Sequence, residues 1–277
     1  MEGRVKKLLI DAGNSSLKWA LLDSNNLSKM ESISYQGTTP VHVFSYLLEN
    51  LLNTINIKSI VIVSVLGDKY ESAVNKITLN LKLHCFFVSS SAQLAGVVSA
   101  YNQPHKLGTD RLVAMVAAHH LYKTNDIKNH ATIIIDSGTA TTIDAIDANG
   151  LHLGGLILPG LDLCGLSLLK NTEMLAPFTK EAQDKNIIID PSVFSTDTTQ
   201  AIYNGSIFGL IGAIEKICTK MEEEIKHKDF HKTQTNKLIC GGGADKLLPY
   251  FSQSFNHQDD LVMQGLKIIS DINEKQH

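Results

Sequence analysis

Two apolar rhythms alternate along the chain. Val5 to Ile10 and Leu17 to Leu22 are short apolar runs split by a polar, glycine-containing turn, the pattern of an antiparallel hairpin. Val41, Phe44, Leu48, Leu51 and Leu52 recur at helical spacing, which predicts a helix over Val41 to Ile55. Lys58 to Val65, with Ile60-Val61-Ile62-Val63 inside it, reads as a buried strand. Asp68 to Leu81 predicts an amphipathic helix and His84 to Val88 another short strand. This β-β-α-β-α-β order implies an α/β domain with a mixed sheet.

Gln93 to Lys106 is irregular and contains Pro104. Leu112 to Ala118 is a strong helical run, and Thr109 or Asp110 is the expected cap. The polar stretch from Thr124 to His130 is the expected boundary, giving domains over 1–124 and 125–277. The second half opens on a β-branched strand ending at Asp136, and Leu151 to Leu158 is a further strand broken by Pro159-Gly160 ahead of a helix. Thr179 to Ser195 reads as a polar loop, and Thr198 to Lys226 as a long helix with Gly205, Gly209 and Gly212 in its interior. Each interior glycine costs about 1 kcal/mol against alanine, so close packing is the expected return, either on a neighbouring helix or on a second subunit. Lys237 to Cys240 is a short strand, and Gly241-Gly242-Gly243 turns into a helix, a layout that lets a flat ligand approach closely. Asp260 to Asn273 is the last predicted helix.

One stretch occurs twice. Ile133-Ile134-Ile135-Asp136-Ser137-Gly138-Thr139-Ala140-Thr141-Thr142-Ile143-Asp144 repeats the grammar of Leu8-Leu9-Ile10-Asp11-Ala12-Gly13-Asn14-Ser15-Ser16-Leu17-Lys18. Asp11 matches Asp136, Gly13 matches Gly138 and Asn14 matches Thr139, 125 residues apart. An internal repeat of this span predicts two related half-structures facing a cleft. A strand ending on an acid, then a turn of N–H groups and hydroxyls, can cradle phosphate oxygens while the acid holds a cation. Alone, such an Asp serves equally well as a turn cap; the repetition is what favours function. No GxxxxGK[ST] occurs and no GxGxxG follows a strand, so the hairpins are the expected means of holding ATP.

Composition narrows the classes. The chain has 277 residues, 43% hydrophobic and 19% charged, with a net charge of −3 and no Lys/Arg-rich run, which removes the electrostatic case for nucleic acid. No apolar run reaches membrane-spanning length and the N-terminus lacks a signal-peptide layout, so a cytoplasmic protein without membrane contact is expected. Cys85, Cys164, Cys218 and Cys240 fit no zinc spacing and are expected to be buried free thiols. The histidines form no HExxH set, and His119-His120 are expected to be structural. Of 25 basic residues, only Arg4 and Arg111 are arginine. What lysine does poorly at Arg111 is bidentate recognition of a carboxylate or phosphate. Asp110 beside it is either a favourable acid at a helix N-terminus or a general base for a substrate hydroxyl.

Taken in order, these motifs resemble the type III pantothenate kinases of the acetate/sugar-kinase, heat-shock ATPase and actin superfamily. Asp11 to Trp19 resembles the first phosphate motif, Gly108-Thr109-Asp110-Arg111 the GxDR pantothenate motif, Asp136 to Asp144 the second phosphate motif, and Gly154-Gly155-Leu156-Ile157-Leu158-Pro159-Gly160 the GGxIxPG segment. The resemblance implies two RNase H-like, actin-like domains with mixed sheets flanking a nucleotide cleft. It implies phosphorylation of pantothenate on its primary hydroxyl by ATP with Mg²⁺, the first step towards coenzyme A.

By the same resemblance Asp110 is the proton acceptor, and Tyr101, Gly108, Thr109, Asp110, Arg111 and Thr198 contact pantothenate. Asp11, Ala12, Gly13, Asn14, Ser15, Ser16, Leu17, Lys18 and Thr139 contact ATP. Asp136 holds a monovalent cation, K⁺ or NH₄⁺, and Asp11 holds Mg²⁺, directly or through water. The family is dimeric with sites near the subunit interface, which implies a homodimer. Asp197 stands where the family commonly has asparagine, Ser15 where it commonly has threonine, and Gly241 to Ala244 matches its adenosine motif loosely. Two other readings remain open: a kinase of this superfamily acting on another small acceptor, and a non-catalytic nucleotide-binding accessory protein.

Overall fold

A computed structural model of the chain describes residues 6–124, 130–171, 192–228 and 234–274. The polar stretch expected over 179–195 lies outside these up to residue 191, as does 125–129 of the expected boundary. The chain forms two compact units. The first comprises Met1–Lys128, Ile146–Gly154 and Asp260–His277; the second comprises Asn129–Ala145 and Gly155–Asp259.

The first unit is built on β1 (Lys6–Ala12), β2 (Ser16–Asp23), β3 (Asn26–Leu27), β4 (Glu31–Ser34), β5 (Ile57–Ser64) and β6 (His84–Phe87). Their order is β3-β2-β1-β5-β6, with β4 also on β2. β1 runs antiparallel to β2 and parallel to β5, and β5 runs parallel to β6. Alternation divides the faces of the sheet. Leu8, Ile10, Ala12, Ile60 and Ile62 share one cluster with Phe44, Leu47 and Leu48 of α1 (Pro40–Leu52) and Tyr70 and Val74 of α2 (Asp68–Asn80). Leu9, Val61 and Val63 are equally buried on the other face. There α3 (Thr109–Thr124) and the C-terminal helix, Leu261–Glu274, pack on the sheet and on each other. Their backbones meet closely, because a Cβ on Gly265 would fall on the Val113 carbonyl. α1 starts cleanly: Thr39 accepts the His42 N–H and Pro40 fills the first turn.

The second unit repeats this layout. Its strands are β9 (His130–Ser137), β10 (Ala140–Ile146), β11 (His152–Pro159), β12 (Gln234–Cys240) and β13 (Asn256–His257), in the order β11-β10-β9-β12-β13. As with β1, the acid-tipped strand β9 has its hairpin partner on one side and parallel strands on the other. Helices α4 (Leu161–Asn171) and α5 (Thr198–Lys228) pack together, and α5 lies on β9. Gly241 to Gly243 lead from β12 into α6 (Ala244–Leu247), and α7 is the C-terminal helix already described.

Several expectations change. β3 and β4 are too short to announce themselves, and Gln93 to Lys106 contains two paired dipeptides, β7 (Gln93–Leu94) and β8 (Val97–Val98), with a 3₁₀ turn at Pro104–Lys106. α3 opens at Thr109, so Thr109 and Asp110 lie inside its first turn rather than ahead of it. Cys218 and Cys240 are buried, whereas Cys85 and Cys164 are partly exposed; all four are free. Most clearly, a Cβ on Gly205, Gly209 or Gly212 would meet nothing within 4 Å. Among the described residues no neighbouring helix packs on that face.

Candidate active site

The first hairpin is closed by the Gly13 N–H, which donates to the Ser16 carbonyl at 3.1 Å. Asn14 and Ser15 are exposed at its tip, while Ala12 and Leu17 anchor its base in the core. Asp11 and Lys18 are register partners, and Lys18 Nζ lies 3.9 Å from Asp11 Oδ2. The hairpin is braced from outside: Tyr35, following β4, donates its N–H to the Ser15 carbonyl at 3.0 Å. Burial, with a smaller push from the Asp11 charge, holds the Tyr35 phenol well above its ordinary range, so it stays a neutral hydroxyl.

The second hairpin closes in the same way, Gly138 N–H to the Ala140 carbonyl at 3.0 Å, with a tip one residue shorter. Gly138 and Thr139 are exposed and Asp136 is partly buried. Three glycines from distant segments wrap this turn. Gly160 donates to the Thr139 carbonyl at 3.1 Å, and Gly243 donates to the Ser137 carbonyl at 2.8 Å. Gly241 follows Cys240, the register partner of Asp136, and has a φ of +88°. A Cβ at Gly241 would run into the Asp136 carboxylate, and one at Gly160 into the carbonyls of Gly138 and Thr139. At Gly241 only glycine satisfies both the conformation and the space, and at Gly160 the space alone demands it. Ser137 and Thr141 are fully buried, and their hydroxyls have no hydrogen-bond partner among the described residues. The Asp136 carboxylate lies beside Gly241 and the Ser137 hydroxyl beside Gly243.

The start of α3 carries the third element. Ser90 donates to the Leu107 carbonyl at 2.7 Å, and its oxygen accepts from the Thr109 hydroxyl at 3.1 Å, fixing the approach to the helix. Asp110 Oδ1 accepts the N–H of Arg111 at 2.8 Å. Gly108 leaves room for this turn, since its Cβ would lie 2.7 Å from that carboxylate oxygen. Arg111 is only 6% exposed, and its Nη1 donates to the Tyr101 hydroxyl at 3.0 Å. A buried guanidinium held this way has a fixed fork, which is what recognition of a planar anion requires.

Sheet topology brings the first hairpin and the start of α3 to one end of the first unit. Asp11 is at the carboxyl end of β1, opposite Val63 near the carboxyl end of β5. Val88, just past β6, donates to Ile62, and Ser90 two residues on holds Leu107 and Thr109. β1 and β6 are two strand spacings apart, about 10 Å. Carboxyl ends of parallel strands are where open α/β sheets bind ligands. Asp11 to Lys18, Tyr101 and Gly108 to Arg111 thus belong to the first unit; Asp136, Thr139 and Thr198 belong to the second. Thr198 is exposed at the first position of α5, and Asp197 caps that helix by accepting the Gln200 N–H at 2.9 Å. Asparagine and aspartate cap alike, so the acid at 197 fits its place.

Some site residues escaped the sequence reading. Gly160 read as a strand breaker and the end of the GGxIxPG segment, and Gly241 to Gly243 as room for a flat ligand and a loose adenosine motif; that Gly160, Gly241 and Gly243 pack on the second hairpin was not foreseen. His152 gave no signal at all, yet its ring stacks on Tyr101 with centroids 6.0 Å apart and planes 16° apart.

The family model for type III pantothenate kinases matches residues 7–220. The type III pantothenate kinase of Nitrosococcus oceani is 29% identical over 260 residues, 94% of this chain and 91% of that one. That of Albidiferax ferrireducens is 30% identical over 261 residues, 94% and 95% of the two chains. Among solved structures, MreB5 of Spiroplasma citri bound to ADP superposes with a TM-score of 0.52 at 10% identity, covering 98% of each chain. The ethanolamine utilization protein EutJ from Carboxydothermus hydrogenoformans gives 0.50 at 12% identity, over 95% of this chain and 89% of that one. At such identities the likeness concerns the fold, and it is the actin-like fold that the family resemblance implied. With more than two thirds of its length matched, the chain belongs to the type III pantothenate kinase family.

Proposed function

We propose that this chain transfers the γ-phosphoryl group of ATP to the primary hydroxyl of pantothenate, giving 4'-phosphopantothenate and ADP. Family membership supports the reaction, and one observation supports the site: Asp110 and the buried, Tyr101-bound Arg111 open α3 at the same sheet end as the Asp11 hairpin. Asp110 takes the proton of the pantothenate hydroxyl as its oxygen attacks the γ-phosphorus. The bond to the bridging oxygen breaks and ADP leaves. Arg111 grips the pantothenate carboxylate through its fork, with Tyr101, Gly108, Thr109 and Thr198 as further contacts.

The backbone N–H groups and hydroxyls of Asp11 to Lys18 and Thr139 bind the phosphates, and Lys18 adds positive charge there. Asp11 holds Mg²⁺, directly or through water. Asp136 would hold the K⁺ or NH₄⁺ ion, which would supply positive charge near the phosphates when bound. The exposed glycine face of α5 supports a homodimer, because among the described residues nothing covers it.

Asp110→Asn tests the site. It keeps size and hydrogen bonding but removes the base, so kcat is expected to fall roughly 10²- to 10⁴-fold while ATP still binds. Turnover at the wild-type rate would remove Asp110 from the chemistry.

A further inference from the structure

His152 sits at the start of β11, 1% exposed, in a segment that belongs to the first unit although the rest of its strand does not. The turn before it is stiff. Asp147 Oδ1 accepts the N–H groups of Asn149 and Leu151 at 2.9 and 2.8 Å, and the Asp147 N–H donates to the Leu151 carbonyl at 2.9 Å. This turn is fixed to the segment leading to Tyr101. Leu151 bridges Val98, the Val98 N–H donates to the Gly150 carbonyl at 2.9 Å, and the Tyr101 N–H donates to Ser99 Oγ at 3.2 Å. Gly150, with a φ of +85°, leaves no space for a side chain: its Cβ would strike the Gly96 carbonyl and lie 3.1 Å from the His119 ring. The backbones carrying His152 and Tyr101 are therefore held together before their rings meet.

We infer that His152 is a positioning residue for the acceptor subsite: its buried imidazole backs the Tyr101 ring, and Tyr101 in turn sets the Arg111 fork. Three flat or planar groups lie in sequence. His152 stacks on Tyr101 at 6.0 Å, the Tyr101 hydroxyl accepts from Arg111 at 3.0 Å, and the guanidinium carbon lies 5.9 Å from the Tyr101 ring centre. Tyr101 is partly exposed and turns about two side-chain bonds, so a backing ring removes orientations that point its hydroxyl away from Arg111. The effect belongs to pantothenate binding, not to ATP binding, because Tyr101 and Arg111 are the groups that move. This inference rests on the pantothenate kinase reading.

The experiment compares His152→Phe, which keeps a flat ring, with His152→Leu, which fills the space without one. KM for pantothenate, KM for ATP and kcat are measured on each beside wild type, with thermal melts to establish folding. His152→Leu is expected to raise the pantothenate KM about threefold to tenfold, the range an aromatic pair contributes, with the ATP KM unchanged. His152→Phe is expected to stay within about twofold of wild type. Should His152→Leu fail to fold, His152→Gln replaces it with the same expectation. A folded Leu or Gln variant with wild-type pantothenate KM overturns the inference, as does a rise shared equally by ATP or one that Phe does not rescue. Those results leave wild-type turnover of pantothenate standing; a wild type inactive on pantothenate overturns the parent reading and this inference together.

Discussion

Burying a guanidinium costs several kcal/mol unless its donors are met, and Arg111 is buried with one donor on Tyr101. A lysine there would keep the charge but lose the fork, and its flexible ammonium would not hold the Tyr101 hydroxyl and a carboxylate at once. Arg111→Lys is therefore expected to raise the pantothenate KM by about tenfold, with a smaller change in kcat. Unchanged kinetics would take Arg111 out of the acceptor site. Arg111 was legible in the sequence because arginine is rare in this lysine-rich chain. Asp11 and Asp136 were legible because each ends a β-branched run before a glycine. His152 was not, since its role depends on a contact with Tyr101, 51 positions away, that no local pattern encodes.

At the scale of elements, strands and helices follow the period of their apolar residues, and most lie where that period put them. Capping and packing are less local. The start of α3 is set by Ser90, which reaches it from beyond β6, and not by Thr109 or Asp110 acting as an external cap. The far half of α3 carries His119, 7% exposed. Burial first, then the charges of His120 and Lys123, hold its imidazole below the ordinary 6.5, with Asp147 opposing.

Unfolded, His119 takes a proton near pH 6.5; folded, it does so only at lower pH. The stability this contributes is present above that pH and is lost as pH falls through the lowered value. The melting temperature is expected to drop between about pH 7.5 and pH 5, and His119→Phe to flatten part of that drop. Equal slopes in wild type and variant would mean that His119 is not held neutral.

For the molecule as a whole, the duplicated hairpin announced two related α/β sheets, and both have the same layout around an acid-tipped strand. The partition of the chain between the units was not readable. Ile146–Gly154 and Asp260–His277 join the first unit because α7 packs on α3 and because Leu151 and His152 meet Val98 and Tyr101. Such contacts join residues far apart in sequence, where periodicity is silent. Family membership leaves the acceptor as the point to test.

ADP release by the purified chain, followed with ATP and Mg²⁺ in potassium buffer, answers it when pantothenate is compared with a sugar and a short carboxylic acid. ADP is expected to appear at a rate that depends on pantothenate and to stop when it is exhausted. Release driven by another acceptor, or none with any of them, would contradict the assignment of this chain as a pantothenate kinase.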